Sequence, residues 1–184
     1  MTESFAKKTI EQFDMLLGES EADRYVVIGW IEMSERWLGV QVSGAGVILV
    51  DAEVPADGPI TIVLDDSLKL ASGDRAKAFC TMYSRLHDYA KEKGIKRAFI
   101  KDSAVSKGGM GKPHLAAAEL RGVAIAALGA ACDVSIVSKA SVSRNFGDRK
   151  MDEYVKDESF WQENTNGKMR SGSREAAMLV LASR

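Results

Sequence analysis

YVVIGWIEMSERWLGVQVSGAGVILVDAEVPADGPITIVL, residues 25–64, is the stretch on which the fold turns. Tyr25–Glu32 (YVVIGWIE) is dense in β-branched and aromatic residues, the composition of a buried strand. Ser34–Arg36 supply a tight turn, and Trp37–Ser43 (WLGVQVS) reads as the return strand of a hairpin. Gly44 and Gly46 interrupt that strand, and Val47–Val54 resumes its pattern. Pro55–Pro59 form a loop, and Ile60–Leu64 (ITIVL) is a further strand. The opening is therefore expected to be an antiparallel meander.

Working outward, Ile10, Phe13, Leu16 and Leu17 fall at helical spacing and predict a short amphipathic helix, which the acidic linker Gly18–Arg24 ends. On the other side, Gly73 and Asp74 start a helix that carries Phe79, Met82, Leu86 and Tyr89 on one face and stops at Gly94. Ala98–Lys101 is a short buried strand, and Ser103–Lys112 a loop rich in Gly and Lys. Pro113 opens a long helix to about Ala131, followed by the strand Val134–Ser138. Asp148–Trp161 predicts a surface helix, Asn164–Ser173 a polar loop, and Ser173 the N-cap of a closing helix. The order β-β-β-α-β-α-β-α predicts an α/β fold, with a mixed five-stranded sheet and helices on both faces. Residues 1–24 are expected to form the N-terminal helix and linker, and residues 25–184 the domain.

With 184 residues, 46% of them hydrophobic, the chain can bury a core without metal or disulfide staples. No apolar run approaches the roughly 20 residues a membrane helix needs. Met1–Lys8 is polar with no apolar core behind it, so a cytoplasmic location is expected. Cys80 and Cys132 have no metal-type spacing and read as reduced thiols. The net charge of −1 hides a split. Residues 1–90 hold 8 basic and 15 acidic side chains, whereas residues 91–150 hold 12 basic and 5 acidic ones. That second segment suits an anionic partner.

Metal-dependent phosphodiester cleavage needs acids that converge from different elements, because hard cations such as Mg2+ take oxygen ligands. Glu32 ends the first strand run, Asp102 follows the strand Ala98–Lys101, and Glu175 lies in the first turn of the last helix. In a sheet of this order the first strand and the strand after the first helix are neighbours. Glu32 and Asp102 would then form a like-charge pair, costly unless a cation lies between them. Each acid also has a plainer reading, as a turn residue, a loop cap and a helix-dipole acid. Gly108, Gly109 and Gly111 with Lys107 and Lys112 could approach a phosphate backbone but do not make a Walker loop. His114 reads as solvent-exposed or as a proton donor to a leaving group.

These residues resemble RuvC-type Holliday-junction resolvases, of the ribonuclease-H-like superfamily. Ile31–Val42 (IEMSERWLGVQV) is similar to their first hairpin, in which a strand ends in an acid and a Gly-containing strand returns. Ala118–Gly147 is more similar still, through the Arg121–Ala127 core of a small-residue helix that leads to a strand and a DNA-facing segment. REAAMLVLA, from Arg174, resembles the family's final helix. The resemblance implies Glu32, Asp102 and Glu175 as catalytic acids and metal ligands, with Mg2+ or Mn2+ as cofactor, and a homodimer acting on branched or duplex DNA. Lys107, Lys112, Lys139, Arg144, Arg149 and Lys150 would contact phosphates. The family usually has Asp first and Glu second, and two acids one turn apart in the final helix. Here the first two are exchanged and Gly172 stands one turn before Glu175. Two readings follow: a metal-dependent nuclease on structured nucleic acid, or a non-catalytic binding or assembly module on the same fold.

Overall fold

The computed structural model describes residues 34–103, 111–147 and 149–184. The run Tyr25–Glu32 and the N-terminal helix reading lie outside them. Strand β1 (Glu35–Ser43) alternates strictly, sending Leu38 and Val40 to one face and Trp37 and Gly39 to the other. It turns at Gly44–Ala45 and pairs antiparallel with β2 (Gly46–Val54), Ser43 opposite Gly46 and Glu35 opposite Val54. Strand β3 (Ile60–Lys69) completes the meander beside β2.

The expected hairpin partners are corrected here. Both edges of β1 are occupied across Trp37–Val40, by β2 on one side and by β4 (Arg97–Lys101) in parallel on the other. Trp37–Ser43 is therefore the first arm of its hairpin rather than a return arm, and Arg36 lies within the strand rather than in a turn.

Helix α1 (Arg75–Glu92) follows the meander. Asp74 caps it by accepting from the amides of Ala76 and Lys77, and Gly94, at φ 64°, turns the chain out of it. After β4 comes α2 (Lys112–Gly129), with Pro in its first turn, and then β5 (Asp133–Val137), parallel to β4. Helix α3 (Lys139–Phe146), which the sequence reading did not anticipate, starts at the Ser138 cap. The single surface helix expected over 148–161 is two helices, α4 (Met151–Lys156) and α5 (Glu158–Asn164). Asp157 separates them, ending one and capping the other, and Met151, Tyr154 and Trp161 are buried. A two-residue strand β6 (Thr165–Asn166) and a 3-10 turn (Ser171–Ser173) lead to α6 (Arg174–Leu181).

The described strands form one mixed sheet of six in the order β5-β4-β1-β2-β3-β6 where five were expected: the interrupted strand over 37–54 is two strands, β6 is added, and the expected strand Tyr25–Glu32 lies outside the described residues. One face packs Leu38, Val40, Leu49 and Ile100 under Leu86 of α1 and Leu120, Ala124 and Leu128 of α2. The other packs Trp37, Val50, Ile60 and Phe99 under α3 to α6, with Met178 and Val180 at its centre. Burying each such side chain contributes about 1.5–3 kcal/mol, so the two cores bind the helices to both faces. Among the described residues no helix is long and apolar enough to cross a membrane.

Candidate functional site

Strand parity decides which side chains meet at the carboxyl ends of β1 and β4. Trp37, Gly39 and Gln41 share the α6 face of β1. Phe99 and Lys101 share the α6 face of β4. Helix α6 lies close over β1 because position 39 is glycine: a Cβ there would sit 2.1 Å from the Ala176 carbonyl oxygen. Asp65 on β3 fixes the entry to the same helix. Its carboxylate accepts from the Arg170 amide at 2.6 Å and from the Ser173 hydroxyl at 2.5 Å, and pairs with the Arg170 guanidinium. Ser173 is the N-cap residue of α6 as expected, but its hydroxyl serves Asp65 and makes no side-chain cap to the helix.

Glu175, in the first turn of α6, consequently stands over the ends of two parallel strands. Its Oε2 accepts from Gln41 Nε2 at 2.8 Å and from Lys101 Nζ, and its Oε1 faces Lys139 Nζ at 3.2 Å. Lys139, at the start of α3, also donates to Asp152 at 2.6 Å. Burial pushes the Glu175 carboxyl up, but Lys101 and then Lys139 outweigh it and hold the group below its ordinary range. Asp152, and more weakly Glu175, raise the Lys139 ammonium. Gln41 Oε1 is buried with no hydrogen-bond partner among the described residues.

Of the expected acids, Glu175 occupies this centre. Glu32 lies outside the described residues, and the strand end beside β4 belongs to β1 and carries Gln41. Asp102 is exposed and accepts from the Ser103 amide at 2.7 Å. It is one residue past Lys101, so alternation gives Lys101, not Asp102, the place under Glu175. Of the expected phosphate contacts, Lys107 lies outside the described residues. Lys139 is held by Glu175 and Asp152, and Arg149 by Asp157 at 2.6 Å and by the Tyr154 ring. Lys112, Arg144 and Lys150 are exposed, with no carboxylate partner among the described residues, and His114, two residues after Lys112, is exposed as well. Reasoning from strand-end acids missed Gln41 and Lys101; counting in steps of two from Trp37 and Phe99 would have found both.

The residues at this centre do not fit a divalent cation. Magnesium and manganese take oxygen ligands, and every described contact to Glu175 comes from a nitrogen donor. Among the described residues no group of three or more His, Cys, Asp or Glu side chains could hold a metal ion.

No protein-family model and no curated protein matches the chain in sequence. Solved structures do match. RuvC of T. thermophilus in complex with a Holliday junction substrate superposes with a TM-score of 0.62 at 9% identity, over 80% of this chain and 91% of that one. Thermus thermophilus RuvC gives 0.63 at 10% identity, over 80% and 92%. The yeast mitochondrial Holliday junction resolvase Ydc2 gives 0.55 at 13% identity, over 95% and 91%. The chain has the RuvC-type, ribonuclease-H-like fold. Within this RuvC-like domain, the convergence of β1, β4 and α6 is built from one carboxylate, one amide and two ammonium groups.

Proposed function

We propose that this RuvC-like domain binds branched or duplex DNA and does not cut it at the Glu175 centre. The observation that carries the reading is the set of nitrogen donors on both oxygens of Glu175, where cleavage would need oxygen-rich metal ligands. Support for nucleic acid comes from the fold shared with a resolvase solved on its junction, from the basic segment 91–150, and from exposed Lys112, Arg144 and Lys150. A homodimer belongs to the same reading. Helix α2 buries Leu120, Ala124 and Leu128 against the sheet and exposes Leu115, Gly122 and Ala126, leaving a face that a second copy would cover.

The test uses four-way junctions, duplexes and RNA–DNA hybrids with Mg2+, Mn2+ or a chelator present. Binding that weakens with salt and leaves the strands intact in every condition supports the reading. Divalent-dependent cleavage that Glu175→Gln and Asp102→Asn abolish overturns it in favour of a metal-dependent nuclease. Light scattering on the free protein reads the oligomeric state.

A further inference from the structure

Among the described residues the charges around Glu175 close without a metal. Gln41 is neutral, Lys101 and Glu175 cancel, and Lys139 and Asp152 cancel. A dication added here would bring two uncompensated charges and displace ammonium groups from both carboxylate oxygens. Two of the donors, Gln41 and Lys101, reach Glu175 from the carboxyl ends of two adjacent parallel strands, so an oxygen ligand placed on either strand would share a cation with the same carboxylate. One oxygen is already there without a partner among the described residues, Gln41 Oε1.

We infer that this centre carries its cation within the chain: the Lys101 ammonium holds Glu175 in the place a divalent ion would take, so the site is metal-independent as it stands and becomes a divalent-cation site when its nitrogen donors are exchanged for carboxylates. Replacing Gln41 with Asp and Lys101 with Glu would set three acids around one point, a like-charge cluster that favours a bound cation strongly. The inference concerns the same centre as the proposed non-cleaving function. It is read by metal binding and not by DNA affinity or cleavage, so either claim can fail while the other stands.

The experiment is a Mn2+ titration of the full chain, followed by paramagnetic broadening of backbone amide signals and by the thermal melt. Wild-type protein is expected to show no localised broadening at Gln41, Lys101 and Glu175 and no rise in melting temperature at millimolar Mn2+. The Q41D/K101E variant is expected to show both, and both are lost when Glu175→Gln is added. If the variant melts without cooperativity in the absence of metal, Mn2+ is expected to restore the transition, since a ligand of the folded state alone stabilises that state. Wild-type broadening at these residues that Glu175→Gln removes would overturn the inference. So would a Q41D/K101E variant that stays silent to Mn2+, folded or not.

Discussion

Asp51 and Glu175 are carboxylates on opposite faces of the sheet, each paired with a cation and each tying strands to a helix, and they differ in how far they are closed to water. Asp51, on β2, has no exposed surface and faces α1. Arg36 holds it with two hydrogen bonds, and the Tyr89 hydroxyl donates to it at 2.5 Å. Burial, then the Asp51 carboxylate, pushes the Tyr89 hydroxyl far above its ordinary value, so it stays a donor at any physiological pH. Glu175, on the opposite face, keeps 21% of its side-chain surface open, and its charged partners are lysines. An Arg fork fixes a carboxylate in two directions, whereas a Lys ammonium is a point charge on a flexible stem. The closed centre therefore reads as a fixed strut between β1, β2 and α1. The open one reads as a site whose chemistry can change while the fold stays.

The largest expected effect breaks the strut. Asp51→Ala leaves the Arg36 guanidinium and the Tyr89 hydroxyl without their acceptor; because Arg36 keeps 22% of its side-chain surface open, the expected cost is about 3 kcal/mol, the low end for losing one partner of a buried pair. Urea denaturation measures it. A smaller loss for Asp51→Ala than for any exchange at Lys101 would reverse the comparison.

Gly39→Ala comes next. The added Cβ would meet the Ala176 carbonyl at 2.1 Å, and backbone cannot yield as a side-chain tip does. Helix α6 must shift, at about 1–3 kcal/mol for overpacking, and Glu175 moves with it. The expected signature is a loss of stability together with chemical-shift changes at Gln41 and Lys101, while signals around Asp51 hold still. Changes confined to Asp51 and Tyr89 would sink this account of how Glu175 is positioned.

These two residues also mark how far the sequence could be read. The element order, the Asp74 cap, the stop at Gly94 and the strand before Lys101 all follow from local pattern, because each depends on neighbours within a few positions. The site depended on parity and pairing, which are long-range. The run Tyr25–Glu32 has strand composition, and so did the true first strand of the meander, and composition does not say which one lies beside β4. Looking for acids then led to Asp102, one residue beyond the face that Lys101 occupies, and a slip of one residue exchanges the two faces of a strand. The close approach at Gly39 and the capture of Ser173 by Asp65 join residues distant in the chain, and no local pattern announces either.

Lys101→Met sharpens the other half of the comparison. The Lys101 and Glu175 side chains are about a fifth exposed, so solvent and Lys139 take up part of the lost interaction. The expected cost is about 1 kcal/mol, near the upper end for partly exposed pairs. Denaturation at neutral pH checks it. A loss as large as that of Asp51→Ala would mean that the Glu175 centre is as closed as the Asp51 centre.

The smallest effect lies in the pH dependence of that same variant. The Glu175 carboxyl is held below its ordinary range in the folded chain, with burial opposing and Lys101 the largest lowering influence. A depressed folded pKa contributes stability that is complete above the unfolded value of about 4.3 and is lost as pH falls through the folded value. Asp65 and Asp152 are depressed as well, Asp65 by Arg170 and Ser173 against burial and Asp152 chiefly by Lys139. Both wild type and variant will therefore lose stability in acid, and the difference between them reports Glu175 first and, to a smaller degree, Asp152, which Lys101 also lowers. In Lys101→Met the main lowering influence is gone and burial remains, so the Glu175 pKa rises toward or past its unfolded value. The stability difference between the two proteins should stay constant above about pH 5 and shrink below it, as protonation of Glu175 removes what Lys101 had stabilised. Denaturation midpoints taken at steps from neutral pH into the acid range would show this. A difference that stays constant throughout would mean that Lys101 stabilises the fold through its aliphatic stem and not through the Glu175 charge.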